Sequence, residues 1–437
     1  FTRALQVEDT VRPRRAAAKT RSIAVLPFIN ASPDPENEYL SDGITDELID
    51  ALAKVEGLRV ASRTSVFALK GKSQDVRAIG ALLDAGTVLE GTVRRSGMQV
   101  RITAQLTSTE DGRLVWSQRY DRRLDDVFAI QDEIARTIVN TLRATSFADL
   151  SAPPVRQHTK SAAAYRLYLK GRYEWNRRTQ EGVAEGIRHF EAAIAEDPNY
   201  ALAYTGLADC YALEVDYRSV PVEEGFERAK LYARKAIALD DTLAEAHASL
   251  AWTRFIYDWD WAAAEQSFRR ALELDARYAT AHQWYAFLLV SRGAIADALV
   301  EAHTAVELDG SSVSARRSLA WIYFYARRFD QAKHHIERAI EMNPNAEENY
   351  RVLGMVLGMA NDPEEGTRVL KEAITMPDAG TYTLATLGFV EARAGRTAEA
   401  RRILAELEAH AKREYVSPVS FAMVHLGLGD VESALDW

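Results

Sequence analysis

The sequence contains a single cysteine, Cys210, and no apolar run long enough to cross a membrane as a helix. One cysteine excludes an internal disulfide, and it also excludes a CxxC metal or redox motif. Such low cysteine content is typical of a reducing compartment, so we expect a cytoplasmic chain. Because every apolar run is shorter than the roughly 18 residues that a spanning helix needs, we expect no membrane segment.

The composition is that of an ordinary globular protein. Hydrophobic residues make up 47% of the 437 positions and charged residues 27%, which excludes a wholly disordered chain. This length favours two or three domains. The net charge of -9 argues against direct nucleic-acid binding. Since the chain starts at Phe1 without a signal peptide, we expect a fragment of a longer polypeptide.

Residues 1–21 are basic and show no sustained hydrophobic period, which predicts a basic linker. Only Glu8 and Asp9 oppose the cations, which are Arg3, Arg12, Arg14, Arg15, Lys19 and Arg21. A DNA-binding patch is the alternative interpretation. It is the weaker one, because no aromatic or helical organisation accompanies the charges.

Residues 22–146 mix strand and helix patterns and predict an independent α/β domain. A short branched apolar run at 23–28 predicts a buried strand, and Leu40, Ile44 and Leu48 recur at helical spacing. A second strand is predicted at 58–61 and a second helix at 76–83.

The next part of this domain predicts three antiparallel strands. Apolar and polar residues alternate in 89–93 and again from Val100 to Leu106, on either side of a tight turn at Ser96-Gly97. A third strand follows from Leu114. Asp125 or Asp126 is predicted to cap a closing helix, and Ala152-Pro153-Pro154 marks a linker over 147–161.

From Ala162 onward the strand signals stop and an internal repeat begins. Units start 34 residues apart at Ala279, Val313, Glu347 and Thr381. The same positions are small in successive units: position eight in Ala286, Ala320, Gly354 and Gly388, position twenty in Ala298, Ala332, Gly366 and Ala400, and position twenty-seven in Ala305, Ala339 and Ala373. Small residues let two antiparallel helices approach closely. Counting the irregular units upstream, 162–437 is predicted to hold seven complete units and an eighth that the chain end at Trp437 cuts off.

This pattern resembles the tetratricopeptide repeat family. The segments 206–211 and 343–346 resemble the family's first helix and its inter-repeat turn, whose usual proline is replaced by Asp241, Ala276 and Gly310 in three units. The resemblance implies an all-α right-handed superhelix over 162–437 and a protein-binding role.

The front domain resembles the TolB-amino-terminal-like domain of bacterial signalling proteins. The residues that carry this resemblance are in the blocks 23–28, 39–48, 89–95 and 128–134. In proteins of this architecture the resemblance implies an effector module upstream, which is a class III nucleotide cyclase, a winged-helix DNA-binding domain or a kinase.

Several other residue clusters favour structural roles over chemistry. Asp42, Asp46, Glu47 and Asp50 open a helix, where carboxylates complement the helix dipole without any metal. His334 and His335 are adjacent, so on a helix they diverge by about 100° and do not chelate one ion. We expect Cys210 and the tryptophans of 257–261 in the core, with Asp260 as an N-cap. Neither a cofactor nor a catalytic residue is predicted.

The repeat resemblance implies that positions 2, 5, 9, 12 and 13 of each unit face a concave groove. These positions include Trp252, Phe255, Phe287, Arg317, Trp321, Phe324, Tyr325, Arg351, Met355, Phe389 and Arg393. Aromatic residues, methionine and arginine anchor partner peptides in desolvated pockets, and the arginines suit an acidic segment or a terminal carboxylate. Packing of these aromatics against the next repeat is the alternative.

The sequence therefore favours a non-catalytic sensor and scaffold region that binds a protein or peptide. We expect it in a bacterial signalling or transcription-regulating protein. One alternative is the regulatory tail of a class III adenylate/guanylate cyclase or a protein kinase, with the catalytic domain upstream of Phe1. Another is a small-molecule receptor that uses the α/β domain.

Overall fold

The computed structural model describes residues 22–53, 55, 57–72, 74–124, 127–146, 158–177, 179–216, 221–309, 312–360, 362–376 and 379–437. The chain divides into two compact units, Phe1–Gln157 and His158–Trp437. The predicted basic linker 1–21, the proposed caps Asp125 and Asp126, and most of the predicted linker 147–161 lie outside the described residues. The predicted class, an α/β region followed by an all-α region, is confirmed.

The first unit is built on one mixed sheet with the order β3-β1-β4-β5-β6, in which β2 also pairs with β4. The strands are β1 Ser22–Val25, β2 Ile29–Asn30, β3 Arg59–Val60, β4 Thr87–Ser96, β5 Gln99–Ser108 and β6 Leu114–Arg123. The pairs that involve β1 or β2 are parallel, whereas β4, β5 and β6 form the predicted antiparallel meander. Gly97 has a φ of 58° in the turn between β4 and β5, a conformation that glycine adopts without strain.

Helices cover the buried parts of this sheet. They are α1 Glu38–Ala53, α2 Arg63–Phe67, α3 Val76–Leu83 and α4 Val127–Ser146. Leu40, Ile44 and Leu48 of α1 are fully buried with Ile23 of β1, as their helical spacing predicted. The patterns of 39–55 and 76–83 thus become α1 and α3, whereas the short helix α2 was not predicted.

The second unit consists of consecutive helix pairs. They are α5 Ala162–Asn176, α6 Gln180–Glu196, α7 Ala201–Asp216, α8 Val222–Leu239, α9 Ala244–Ile256, α10 Trp261–Leu274, α11 Ala279–Ser291, α12 Ile295–Leu308, α13 Val313–Tyr325, α14 Phe329–Met342, α15 Glu347–Met359, α16 Pro363–Ile374, α17 Thr381–Arg393, α18 Thr397–Ala411, α19 Pro418–Gly427 and α20 Val431–Asp436. The helices α11, α13, α15 and α17 begin at the four residues that the 34-residue period marks as unit starts. The superhelical handedness stays a prediction.

The small positions lie where the two helices of a pair meet. Ala286, Ala298, Ala320 and Ala332 are all fully buried. The approach is close between α15 and α16, where a Cβ added to Gly366 would lie 2.8 Å from the carbonyl oxygen of Gly354. Since that neighbour is backbone, no side chain can move aside to make room.

The joints between pairs explain why the repeat tolerates the loss of its usual proline. At Asp197-Pro198 the Asp197 side chain accepts a hydrogen bond from the Asn199 backbone N–H at 3.0 Å. Where proline is missing, Asp240 accepts from Thr242 at 3.1 Å and Asp275 from Arg277 at 2.8 Å in the same way. An aspartate that bonds two residues ahead fixes the turn by itself.

We predict that Gly366→Ala destabilises the second unit by about 1–2 kcal/mol. Because the contact is with backbone, we expect the upper part of the overpacking range, about 2–3 kcal/mol, and the better helix propensity of alanine offsets about 1 kcal/mol of that. The measurement is the free energy of unfolding in urea. Glu372→Ala, at an exposed position of the same helix, is the control and should change stability by less than about 0.5 kcal/mol. Equal or greater stability of Gly366→Ala would contradict the close approach.

Candidate functional site

The candidate site is a surface along the first helices of successive pairs. Helix α9 packs against α11, α11 against α13, α13 against α15, and α15 against α17. Equivalent positions on these helices therefore form a row. Position nine of the repeat unit is apolar in each of the five helices, and the residues there are Trp252, Phe287, Trp321, Met355 and Phe389.

The first part of the row is an aromatic cluster on α9 and α11. The Trp252 ring stacks on Trp284 with centroids 5.1 Å apart, and its edge contacts Phe255 at 5.9 Å and Phe287 at 6.2 Å. All four rings are partly buried and pack against the hydrophobic core of the central repeats. They thus contribute to core packing and keep part of their surface exposed, while peptide binding by these rings stays a prediction.

Trp284 belongs to this cluster but was not among the predicted site residues. It occupies position six of its unit, outside the five positions taken from the repeat family. Helical spacing offered a signal, because Trp284 precedes Phe287 by three residues and therefore lies on the same side of α11.

A second aromatic cluster lies on α13. Trp321 stacks on Tyr325 at 5.8 Å, and its ring meets Phe324 edge-on at 5.2 Å. These contacts follow from separations of three and four residues in a helix. Tyr325 is 52% exposed. It is therefore the ring of this cluster whose surface is most available to another molecule.

Two of the three predicted arginines, Arg317 and Arg351, contact other residues of the protein. Arg317 lies 2.6 Å from Glu348 through Nη2 and Oε2, and it donates to Asn349 Oδ1 at 3.2 Å. The Arg351 guanidinium lies 4.6 Å from the centroid of the Tyr382 ring, a cation–π contact. Their charge is thus partly compensated before any partner arrives.

A buried carboxylate lies beside these arginines. Glu347 is 7% exposed and accepts a hydrogen bond from the Thr383 hydroxyl. Burial raises the pKa of Glu347, and the Thr383 hydrogen bond and the charge of Arg351 oppose that shift. This polar network connects α15 to α17 below the surface of the row.

The remaining predicted residues differ in exposure. Met355 is 7% exposed, so its side chain offers little surface to a partner. Phe389 is partly buried against the core of the last pairs, and Arg393 is exposed in the last turn of α17. The structure thus places these three residues on adjacent helices without giving them equal access to solvent.

One prediction for the aromatic segment 257–261 is wrong. Trp259 is 74% exposed and has a φ of 54°, so it is not a core residue, whereas Trp261 packs partly against the central core. The Trp259 ring stacks on that of Trp261 with centroids 6.1 Å apart. Asp260 caps α10 as predicted, accepting from the Ala263 N–H at 3.0 Å.

Two members of the acidic cluster of α1, Asp42 and Asp46, contact cations of their own unit. Lys70 Nζ lies 2.6 Å from both Asp42 and Glu38, and Arg63 lies 2.7 Å from Asp46. Burial raises the pKa of Asp42 to about 6, against the opposing effect of Lys70. Among the residues that the structure describes, no three His, Cys, Asp or Glu side chains are grouped so that they could hold a metal ion.

Cys210, a predicted core residue, is buried, and His335 is partly buried. Cys210 is fully buried among the first repeats. His335 stacks on Tyr323 with centroids 5.3 Å apart, and burial lowers its pKa to about 4. Across the described ranges, every helix is too short or too polar to cross a bilayer.

Two family models match the chain. Residues 18–137 match the second domain of HilA/YgeH-like transcriptional regulators, and residues 318–346 match a tetratricopeptide repeat. The repeat match spans part of α13 and all of α14, and the other helix pairs of the second unit repeat this two-helix arrangement. The TolB-like character of the first unit stays a prediction.

Parts of the chain are similar to parts of known proteins. A Rhizobium meliloti (strain 1021) protein named "Putative adenylate cyclase 3" is 37% identical over 231 residues, which is 53% of this chain and 39% of that protein. The transcriptional regulator HilA of Salmonella typhimurium is 24% identical over 166 residues, 38% of this chain and 30% of HilA. A tetratricopeptide repeat protein from Parabacteroides merdae aligns with a TM-score of 0.43 at 13% identity, covering 61% of this chain and all of that one. The chain thus spans less than half the length of the curated relatives it matches. Its second unit has the repeat architecture that regulatory and protein-interaction regions use.

Proposed function

We propose that the repeats bind a segment of another protein along the row of first helices. The observation that carries this proposal is the pair of partly exposed aromatic clusters around Trp252 and Trp321 on adjacent first helices. Large rings supply much contact area while losing little side-chain entropy, and they dominate binding energy at protein interfaces.

The contacts of the arginines narrow the chemistry that we expect of the partner segment. Because Glu348 already neutralises Arg317 and Tyr382 covers Arg351, apolar anchors of the partner supply most of the affinity. Arg393 is exposed near Phe389 and suits a carboxylate at one end of the bound segment. The partner is thus an apolar segment with an acidic end, held in the groove that the repeat resemblance implies.

In the full-length protein this region would be the non-catalytic sensor and scaffold of a bacterial signalling or transcriptional regulator. The match of the first unit to a regulator domain and the similarity to HilA support that role. The low cysteine content agrees with a cytoplasmic protein. A TolB-like first unit would connect the repeats to an effector module.

The regulatory tail of a class III nucleotide cyclase is a second candidate. The observation that favours it is the 37% identity to the protein named "Putative adenylate cyclase 3". Sequencing the gene upstream of the Phe1 codon separates the two candidates. A cyclase catalytic domain there supports the tail, and a winged-helix domain supports the transcriptional regulator.

We predict that Trp321→Ala and Tyr325→Ala each weaken binding of a partner peptide by about 10- to 30-fold, the usual effect of losing an interface anchor. The probe is a fluorescent peptide selected from a random displayed library on the full chain, and the measurement is its anisotropy. Thermal unfolding should change little for Tyr325→Ala, because that ring is half exposed. Trp321→Ala should lower stability as well, because its ring is partly buried.

The matched control is Trp259→Ala, which removes an exposed tryptophan that is not on the row. Its affinity for the peptide should equal that of the unchanged chain. If Trp259→Ala weakened binding as much as Trp321→Ala, or if both row variants bound normally, the row would not be the binding surface.

A further inference from the structure

The meander of the first unit has one face that packs and one that is largely open. In β5, Ile102, Ala104 and Leu106 are fully buried, whereas Arg101 on the opposite face is exposed. Paired residues of neighbouring strands project to the same side of a sheet. The strand register therefore identifies every side chain that shares the open face with Arg101.

Four arginines share this face. Arg94 pairs with Arg101, Arg101 with Asp121, Thr103 with Arg119, and Gln99 with Arg123. Neighbouring strands are about 4.8 Å apart and alternate residues of a strand about 6.8 Å, so these cations form a compact group. We call Arg94, Arg101, Arg119 and Arg123 the arginine face.

The carboxylates on this face do not balance the arginines. Arg101 Nε donates to Asp121 Oδ1 at 2.6 Å, and Arg119 lies 3.7 Å from the same carboxylate. Arg101 beside it lowers the pKa of Asp121, so this carboxylate stays ionised. Glu90 is the second acid of the open face, paired with Gln105. Among the described residues of this face, the three positive charges of Arg94, Arg101 and Arg119 thus meet two negative ones, although the whole chain has a net charge of -9.

Arg94 has no structural explanation within its sheet. Among the described residues it has no carboxylate partner, and it lies directly opposite Arg101. Like charges in directly opposite positions destabilise a sheet. The stability of the fold therefore does not account for Arg94, whereas an external anion would.

We propose that the arginine face binds the phosphate backbone of duplex DNA. Arginine, threonine, serine and glutamine side chains are donors that commonly contact phosphate oxygens. Thr92, Thr103 and Ser117 lie among the arginines on the same face. The prediction of no nucleic-acid contact relied on the net charge of the whole chain, which averages over surfaces of opposite sign.

Other polyanions fit this face less well. Single-stranded nucleic acid is usually held by aromatic stacking, and the described residues of the open face include no aromatic ring. An anionic membrane favours a basic surface that also inserts apolar side chains. Among the described residues, the exposed apolar side chains of this sheet lie at its margins: Ile29 and Leu114 beside Thr92 and Thr107, and Met98 in the turn between β4 and β5.

The test uses the whole 437-residue chain and a fluorescent DNA duplex of mixed sequence, with anisotropy measured between about 50 and 200 mM salt. The first variant combines Arg94→Gln, Arg101→Gln and Arg119→Gln. Each phosphate contact contributes about 0.9 to the slope of log affinity against log salt, so the slope should become shallower by about 2–3. Affinity at about 100 mM salt should fall at least roughly tenfold.

Two single variants separate binding from folding. Arg94→Gln should weaken DNA binding while leaving the melting temperature unchanged or raising it, because the substitution removes a like-charge pair. Asp121→Asn should strengthen DNA binding, because it removes the carboxylate at the centre of the group. A merely structural role for these residues would give neither result.

The matched control combines Arg338→Gln, Arg401→Gln and Arg413→Gln, which remove the same charge from exposed positions of the repeats. A second comparison combines Arg12→Gln, Arg14→Gln and Arg15→Gln in the basic amino-terminal segment. The proposal is overturned if either set reproduces the whole slope change while the sheet variant keeps the original slope. It is also overturned if the chain binds phosphatidylserine vesicles but not DNA. Neither outcome affects the peptide-binding row, which lies in the other unit.

Discussion

The close approach of two helices within each repeat is the constraint on which the second unit depends. Alanine or glycine at the contact lets the backbones come near, and at Gly354 and Gly366 even a methyl group finds no room. This approach fixes the positions of the first helices, and thereby makes equivalent side chains fall into a row. The aromatic clusters around Trp252 and Trp321 are consequences of that spacing.

Periodicity made most of the architecture predictable. A 34-residue step located the starts of α11, α13, α15 and α17, and alternation over 89–106 located β4 and β5. Both signals are local, because they reflect which side of a helix or strand is buried. The short helix α2 carried no such signal, since five residues are too few to show a period.

The candidate site was only partly predictable, because side-chain partners depend on tertiary contacts. The repeat positions found Tyr325 and Trp321, but they omitted Trp284 and gave no sign that Glu348 pairs with Arg317. No sequence period indicates that Trp259 is exposed or that its backbone is left-handed. Likewise the arginine face is invisible in a net charge, because Arg94, Arg101 and Arg119 come together only through strand register.

The buried side chains of the later repeats fall into two main groups. Buried side chains from α9 to α16 form a central cluster, while those from α16 to α19 form another. In a linear array each repeat is stabilised mainly by its neighbours, so two such segments can open separately. Trp321 packs on the central segment and Phe389 on the last one. A ligand long enough to touch both rings would bridge the joint and make the two segments open and close together. Binding would then make the array of repeats stiffer in addition to occupying a surface.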